Sequence, residues 1–327
     1  MGALCSNPPL QCWALGESKD TSSQGWQAKG HAGDEAVVDE TTKIIVGWAS
    51  RGSKGELLVM NRYKMLMGDD DVVGEGTYSI CRRGIDTKTG KEVAIKVYKK
   101  KRKEDSSAAG VKLVKFRRQI AVLQELQAPF TRPVDVALWT DQLASTPPEK
   151  LFMCLVDYSK DSTGQPGPDK DDGVMYVVTE LAQYSLKDYI QDCRSKKKKL
   201  SKDTVRSITK ALLLVVAGLH AKGLIHLDLK PENFMVFSGT LKLIDVDGCI
   251  QVGRDISIND SSLCFSPCYC APEWARFLID DVEERTIPAS PLLDCWSLGV
   301  TIAELVTLEA ILEPTYSSFV RHGRSHQ

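Results

Sequence analysis

Across 327 residues no run of about 18 apolar side chains occurs, the length a helix needs to cross a bilayer, so a spanning helix is excluded. No apolar signal segment opens the chain, and ten cysteines without one are expected as free thiols in a reducing compartment, which predicts a cytoplasmic protein. A surplus of either charge is missing as well. With 42 basic against 43 acidic residues the formal net charge is −1, and no nucleic-acid partner is expected, because a phosphate backbone calls for a basic stripe or surplus. The two basic runs, Lys99–Lys103 and Lys196–Lys199, read as solvated loops. Cys264, Cys268 and Cys270 cluster, but no distal Cys/His pair completes a zinc set. No EF-hand loop is present, so calcium control from within the chain has no support.

What is present is a globular composition, 43% hydrophobic and 26% charged, in a chain long enough for two small lobes or one large domain with a tail. The organising stretch is His226–Asn233, HLDLKPEN. An apolar-periodic segment (Val205, Ile208, Leu212, Val215, Leu219) precedes it, and the acidic motif LIDVDG at 243–248 follows. That order reads as helix, polar loop, short strand and acidic turn. The loop offers a carboxylate (Asp228), an ammonium (Lys230) and an amide (Asn233), with a further carboxylate (Asp245) nearby. Phosphoryl transfer needs such parts: a group to orient a hydroxyl, a cation for phosphate charge and oxygen ligands for Mg²⁺.

Upstream, Val73-Gly74-Glu75-Gly76-Thr77-Tyr78-Ser79, a turn at Thr89-Gly90 and Val93-Ala94-Ile95-Lys96 read as strand, glycine turn, strand, turn, strand. Gly74 and Gly76 let backbone amides approach phosphate oxygens with no Cβ in the way, and Lys96 can reach the same phosphates. Residues 108–126 are helical by period (Val111, Val114, Ile120, Leu123), and 151–158 with 174–180 read as a hairpin. The connections 127–150 and 159–173 exceed what that hairpin needs and read as surface insertions.

Taken in this order, the motifs resemble a eukaryotic protein kinase domain over roughly residues 63–310. The resemblance implies an α+β, bilobal fold: an antiparallel sheet lobe (63–181), a mostly helical lobe (182–310), and ATP with Mg²⁺ between them. By resemblance Asp228 is the catalytic-loop base, Lys230 steadies the transferring phosphate, Lys96 pairs the nucleotide phosphates, and Asn233 and Asp245 hold Mg²⁺. Val73, Gly74, Glu75 and Gly76 would form the loop over the phosphates, with Cys81 and Ala94 beside the nucleotide. Thr179, Glu180, Leu181 and Ala182 would form the hinge on which adenine sits, Thr179 guarding the back of the pocket. Ala271-Pro272-Glu273 matches the end of the activation segment, and Asp294–Gly299 the start of the buried helix of the large lobe. Lys230–Asn233 and Ser266-Pro267-Cys268-Tyr269 resemble the serine/threonine branch, which implies transfer of the ATP γ-phosphate to a protein hydroxyl.

Four features depart from the family pattern. Gln119 stands where a helix glutamate pairs with the strand lysine; an amide can accept a hydrogen bond from Lys96 but brings no charge. Leu227 replaces the arginine that in many members pairs with a phosphorylated activation segment, for which Ser257, Ser261 and Ser262 are the candidate acceptors. Asp247 stands where the acidic motif ordinarily has glycine, with Gly248 one place late. Only about twenty residues follow the helix that starts near Asp294, so a truncated large lobe, or one with apolar surface uncovered, is expected. These departures favour a second reading, a pseudokinase that binds nucleotide or a partner without turnover. A third, phosphotransfer to a small molecule, leaves the APE motif unexplained.

The flanks are an N-terminal tail, 1–62, and a polar C-terminal tail, 311–327. Residues 7–40 have the composition of a disordered segment, while Ile44–Trp48 and Leu57–Met60 are expected as strands packing on the lobe that follows. Met1–Ser6 fits an acylation pattern with Gly2 as acceptor and Cys5 placed for a second chain, which would attach the protein to a membrane; one acyl chain alone binds only marginally.

Overall fold

The structure is a computed structural model, and residues 55–76, 79–99, 106–257, 265–279 and 286–323 are described. Gly2, Cys5, the expected strand Ile44–Trp48, Ser261, Ser262 and Cys264 lie outside them. The described residues divide into two units, one built from 122–153 and 182 onward, the other from 55–121 together with 154–181.

Alternating and β-branched residues make the smaller unit an antiparallel sheet. Its strands are β1 (Glu56–Val59), β2 (Tyr63–Leu66), β3 (Val72–Glu75), β4 (Ser79–Asp86), β5 (Glu92–Tyr98), β6 (Leu155–Tyr158) and β7 (Tyr176–Glu180). They run in the order β1-β2-β4-β5-β7-β6, and β3 pairs the other end of β4. The expected strand at 57–60 is thus β1, joined to β2 in register Val59↔Tyr63. The core on the sheet comprises Val59, Tyr63, Met65, Ile80, Val93, Ile95, Val97, Tyr176 and Val178. The 159–173 connection is a folded loop: the Asp161 carboxylate accepts from Thr163 and Gln165, and the Ser159 hydroxyl donates to the carbonyl of Gly167.

Helix α1 (Ser106–Gln127) forms where periodicity predicts it, with Ile120 and Leu123 inward as expected but its earlier turns rotated. Val111 and Val114 are exposed, whereas Lys112, Phe116, Gln119, Ile120, Leu123 and Leu126 are buried. Lys112 enters the buried row because its ammonium finds a partner, the carbonyl of Lys99 at 2.6 Å, while its stem stays apolar.

The larger unit contains β8 (Tyr184–Ser185), α2 (Leu186–Ser195), α3 (Lys202–Ala221), β9 (Leu224–Ile225), β10 (Phe234–Phe237), β11 (Thr240–Leu243), β12 (Ile250–Gln251), β13 (Asp255–Ser257), α4 (Pro272–Ile279), β14 (Thr286–Pro288), α5 (Pro291–Thr307) and α6 (Glu313–Gly323). Serines start three of the helices: the hydroxyls of Ser185, Ser201 and Ser290 accept from the amides of Asp188, Thr204 and Leu292. By length and composition α3 is apolar enough to cross a membrane, which corrects the expectation drawn from apolar runs alone. Ile208, Leu212, Val215 and Leu219 are buried inside this unit, the pattern of a core helix.

Residues 122–153 group with the larger unit and not with the lobe expected over 63–181. The connection 127–150 docks there: the Lys222 ammonium donates to the carbonyls of Ala128 and Pro129, and Phe130 packs on Phe152. Gly218 of α3 permits the approach, since a Cβ there would lie 2.9 Å from Leu151 Cδ1. Within the stretch expected as a polar C-terminal tail, α6 is helical with Tyr316 exposed, and on α5 Leu292, Trp296 and Val306 are exposed.

Candidate active site

The loop His226–Asn233 hangs from one buried carboxylate. Asp294, fully buried in the first turn of α5, accepts the amides of His226 at 2.8 Å and Leu227 at 2.9 Å, and also the His220 imidazole at 2.9 Å. Three donors on one carboxylate fix the start of the loop, and Leu227 is held at φ +67°, a left-handed backbone that non-glycine residues seldom adopt. His226 stitches the far side. Its Nε2 donates to the carbonyl of Ile244 at 3.1 Å, so Nδ1 is free to accept the Asp228 amide at 3.3 Å. Ile244 in turn donates its amide to the carbonyl of Asn233, which sets the residue directly before Asp245.

Asp228 Oδ2 accepts from Lys230 Nζ at 2.8 Å, and Lys230 also donates to Ser266 Oγ at 2.8 Å. Asn233 is buried and donates its amide to the Asp228 carbonyl at 2.8 Å. Asp228 Oδ1 is buried and accepts nothing, as is Glu232 Oε2; two of the three such side-chain atoms among the described residues therefore lie in this loop. An unsatisfied buried acceptor is costly, and it is what a group waiting for a substrate hydroxyl requires. Asp245 is exposed, with φ +57°, at the head of the turn Val246–Gly248. Asn233 and Asp245 supply the oxygen donors that Mg²⁺ prefers.

In the smaller unit the sheet register aligns Gly74, Cys81, Lys96 and Val177 on neighbouring strands, with Ala94 paired to Thr179. A Cβ at Gly74 would lie 4.0 Å from Cys81 Cβ, ordinary contact, so packing within the protein does not demand this glycine. With no Cβ at 74 and 76 the backbone can be approached closely, the Gly76 amide itself donating to the carbonyl of Ser79 at 2.9 Å. Burial pushes the Cys81 thiol up to about 11, so it stays a neutral wall. Glu75 pairs with Lys99 at 2.6 Å. Thr179 is buried at the end of β7, and Glu180 both donates its amide to the carbonyl of Cys154 and accepts the Cys154 amide. The chain leaves the smaller unit after Leu181 and enters the larger at Ala182.

The family model for the protein kinase domain matches residues 68–325. The chain belongs to the eukaryotic protein kinase family. Among curated relatives, the kinase domain is 26% identical over 237 residues to the mouse phosphorylase b kinase gamma catalytic chain, liver/testis isoform, covering 72% of this chain and 49% of that one. It is 27% identical over 239 residues to serine/threonine-protein kinase TIO of Arabidopsis thaliana (72% and 14%), and 35% identical over 128 residues to the mouse dual specificity protein kinase TTK (38% and 14%). The chain spans half the length or less of these relatives.

Each predicted site residue of the kinase domain is among the described residues. Asp228, Lys230 and Asn233 come together in one loop, and Asp245 is tied to it through Ile244. Sequence reasoning missed the anchors of that loop, Asp294 and His220, as well as Ser266 as a partner of Lys230. Asp294 and Ser266 stand in motifs the sequence offered, but nothing in it tied either of them to the loop. It also missed Tyr98, whose hydroxyl donates to Gln119 Oε1 at 2.7 Å inside the smaller unit. Glu125 is directed away from this role, as the helical repeat predicts, and meets Lys222 at 3.7 Å.

Proposed function

We propose that the chain transfers the ATP γ-phosphate to serine or threonine hydroxyls of proteins. The observation that carries this reading is the buried, unpartnered Asp228 Oδ1, in a loop whose backbone is fixed by Asp294. Bound Mg²⁺-ATP supplies a phosphoryl group whose charge the metal partly neutralises. Asp228 would accept the hydroxyl's hydrogen bond and then its proton, Lys230 would neutralise charge on the phosphoryl oxygens, Asn233 and Asp245 would hold the metal, and Gly74, Gly76 and Lys96 would receive the phosphates. The serine/threonine choice is supported by the sequence Lys230-Pro231-Glu232-Asn233 and by relatives named for that specificity.

The test is phosphotransfer from Mg²⁺-ATP to generic serine, threonine and tyrosine peptides, run on this chain and on a longer form of the protein. Incorporation into serine or threonine peptides is expected. Nucleotide binding without transfer by either form would favour the pseudokinase reading, which the neutral Gln119 supports. We also propose attachment of a cytoplasmic protein to membranes through acylated Gly2 and Cys5. Gly2→Ala should move the protein to the soluble fraction, and a wild type already wholly soluble in acylating cells would refute it.

A further inference from the structure

The turn between α2 and α3 concentrates positive charge in a chain whose charges otherwise balance. Residues 192–206 hold seven basic side chains against two acidic ones, although the whole chain carries a formal net charge of −1. All seven are exposed. Three of them are offset within the protein: Lys196 pairs with Asp192 at 2.9 Å, Arg206 with Asp203 at 2.6 Å, and Arg194 reaches Glu309 at 3.9 Å. Among the described residues no carboxylate lies within ion-pair distance of the other four, Lys197, Lys198, Lys199 and Lys202. The turn that carries them is folded. The Lys197 amide donates to the carbonyl of Arg194 at 3.0 Å and the Lys198 amide to that of buried Cys193 at 2.8 Å, which closes the end of α2. Lys197 stands at φ +51°, the left-handed position after a helix where glycine costs least. A lysine there accepts backbone strain and presents a charge.

We propose that Lys197, Lys198, Lys199 and Lys202 form a contact surface for the anionic headgroups of a membrane. The inference rests on the membrane-attachment part of the proposed function. One acyl chain at Gly2 binds a bilayer only marginally, and a basic patch is a second signal that makes such attachment stable, here without a second chain at Cys5. Like charges crowded on one turn repel each other, and a negative surface relieves that repulsion. The geometry suits a headgroup layer better than an acidic protein segment. Among the described residues no unpartnered buried polar atom lies in this turn, so it offers charge without a pocket to read a particular side chain.

The experiment sediments the whole chain, with and without myristate on Gly2, with vesicles of phosphatidylcholine alone or mixed with phosphatidylserine. The acylated chain should prefer the mixed vesicles at least about a hundredfold, each lysine near such a surface being worth about fivefold. That preference should shrink as salt rises from about 0.1 M to about 1 M, where screening sets in within about 3 Å. Replacing the four lysines with glutamine should remove most of it while the protein melts with wild type. Arg206→Gln, whose charge Asp203 already offsets, should change it less than about fivefold. If the fourfold variant does not fold, Lys198→Gln with Lys199→Gln carries the same comparison at about a twenty-fivefold effect. The unacylated chain tests the patch by itself: its weaker binding should show the same preference and lose it in the fourfold variant. Failure of Gly2 to accept myristate would therefore refute the acylation reading and leave this one to be decided on the unacylated chain. Equal binding to both kinds of vesicle, or a preference that survives the four substitutions, would overturn the proposal. A polyglutamate peptide bound more tightly than the mixed vesicles would also overturn it, in favour of an acidic protein partner.

Discussion

Asp228 shows how much one side chain can be asked to hold in reserve. One of its oxygens is satisfied by Lys230 while the other is buried with no protein donor among the described residues. Asp228→Asn preserves shape but loses the charge and the proton-accepting oxygen. Turnover should fall at least about a hundredfold, as for removal of a positioned general base. Mg²⁺-ATP affinity, measured by calorimetry, should stay near that of wild type. Two glycines separate packing from function in the same way. A Cβ at Gly84 would run into Ile95 Cδ1 and come within 2.9 Å of the Lys64 carbonyl oxygen, so Gly84→Ala should lower the melting temperature by several degrees, about 1–3 kcal/mol of overpacking. Gly74→Ala has room within the protein and should melt with wild type while binding nucleotide less well. The motif residues themselves were legible, because phosphate chemistry restricts which side chains can serve. Their partners were not: that Gln119 bonds Tyr98 depends on which side chain of a strand meets which turn of a helix.

Among elements, the surroundings of Leu227 are apolar where the family often places an arginine. Leu227 lies in an apolar cluster with Ile225, Ile250, Ile256, Ala271, Trp274, Phe277, Ala289 and Leu293, and β13 pairs with β14 in register Ile256↔Ile287. Restoring the family's arginine should therefore harm. Leu227→Arg would bury an unpaired guanidinium, and the melting temperature should drop by at least about 4 °C with no gain in turnover. For the same reason replacing Ser257, Ser261 and Ser262 together with alanine should retain most activity in a phosphotransfer assay; a large loss would point to another cation, such as Arg254. Periodicity gave the positions of α1 and α3 well and put Ile120 and Leu123 rightly inward, yet it misplaced Val111 and Val114 and could not foresee β13 with β14. A lysine stem reads as polar in a sequence and behaves as apolar once its ammonium has a carbonyl to reach, and a three-residue strand pair leaves no periodic trace.

At the scale of the whole molecule, both units combine an apolar core with ionic contacts. The smaller carries an ionic cluster: Arg62 grips Asp86 through two bonds of 2.8 Å, Thr89 and the Lys88 amide complete it, and the Tyr63 hydroxyl donates to Asp157. The Arg62 guanidinium holds the Asp86 carboxyl well below the usual carboxylate range. Because the folded value is depressed, this stabilisation is present above the unfolded value of about 3.9 and is lost as the pH falls from there through the folded one. Asp86→Asn should lower the melting temperature at pH 7 and flatten its fall below about pH 4, read by thermal scans across pH. The division into units followed the motifs only in part, since the docking of 127–150 depends on Phe130 and Lys222 finding Gly218 and two carbonyls.

Asp294 gives the molecule a clock as well as a clamp. Amide protons at His226 and Leu227 are bonded to a carboxylate that solvent does not reach, so they can trade with deuterium only when α5 pulls away from the loop. Their exchange should track opening of the whole larger unit, over hours where neighbouring exposed turns exchange in seconds. Any partner, lipid or nucleotide that tightens that unit would then slow these two amides, however far from the loop it binds.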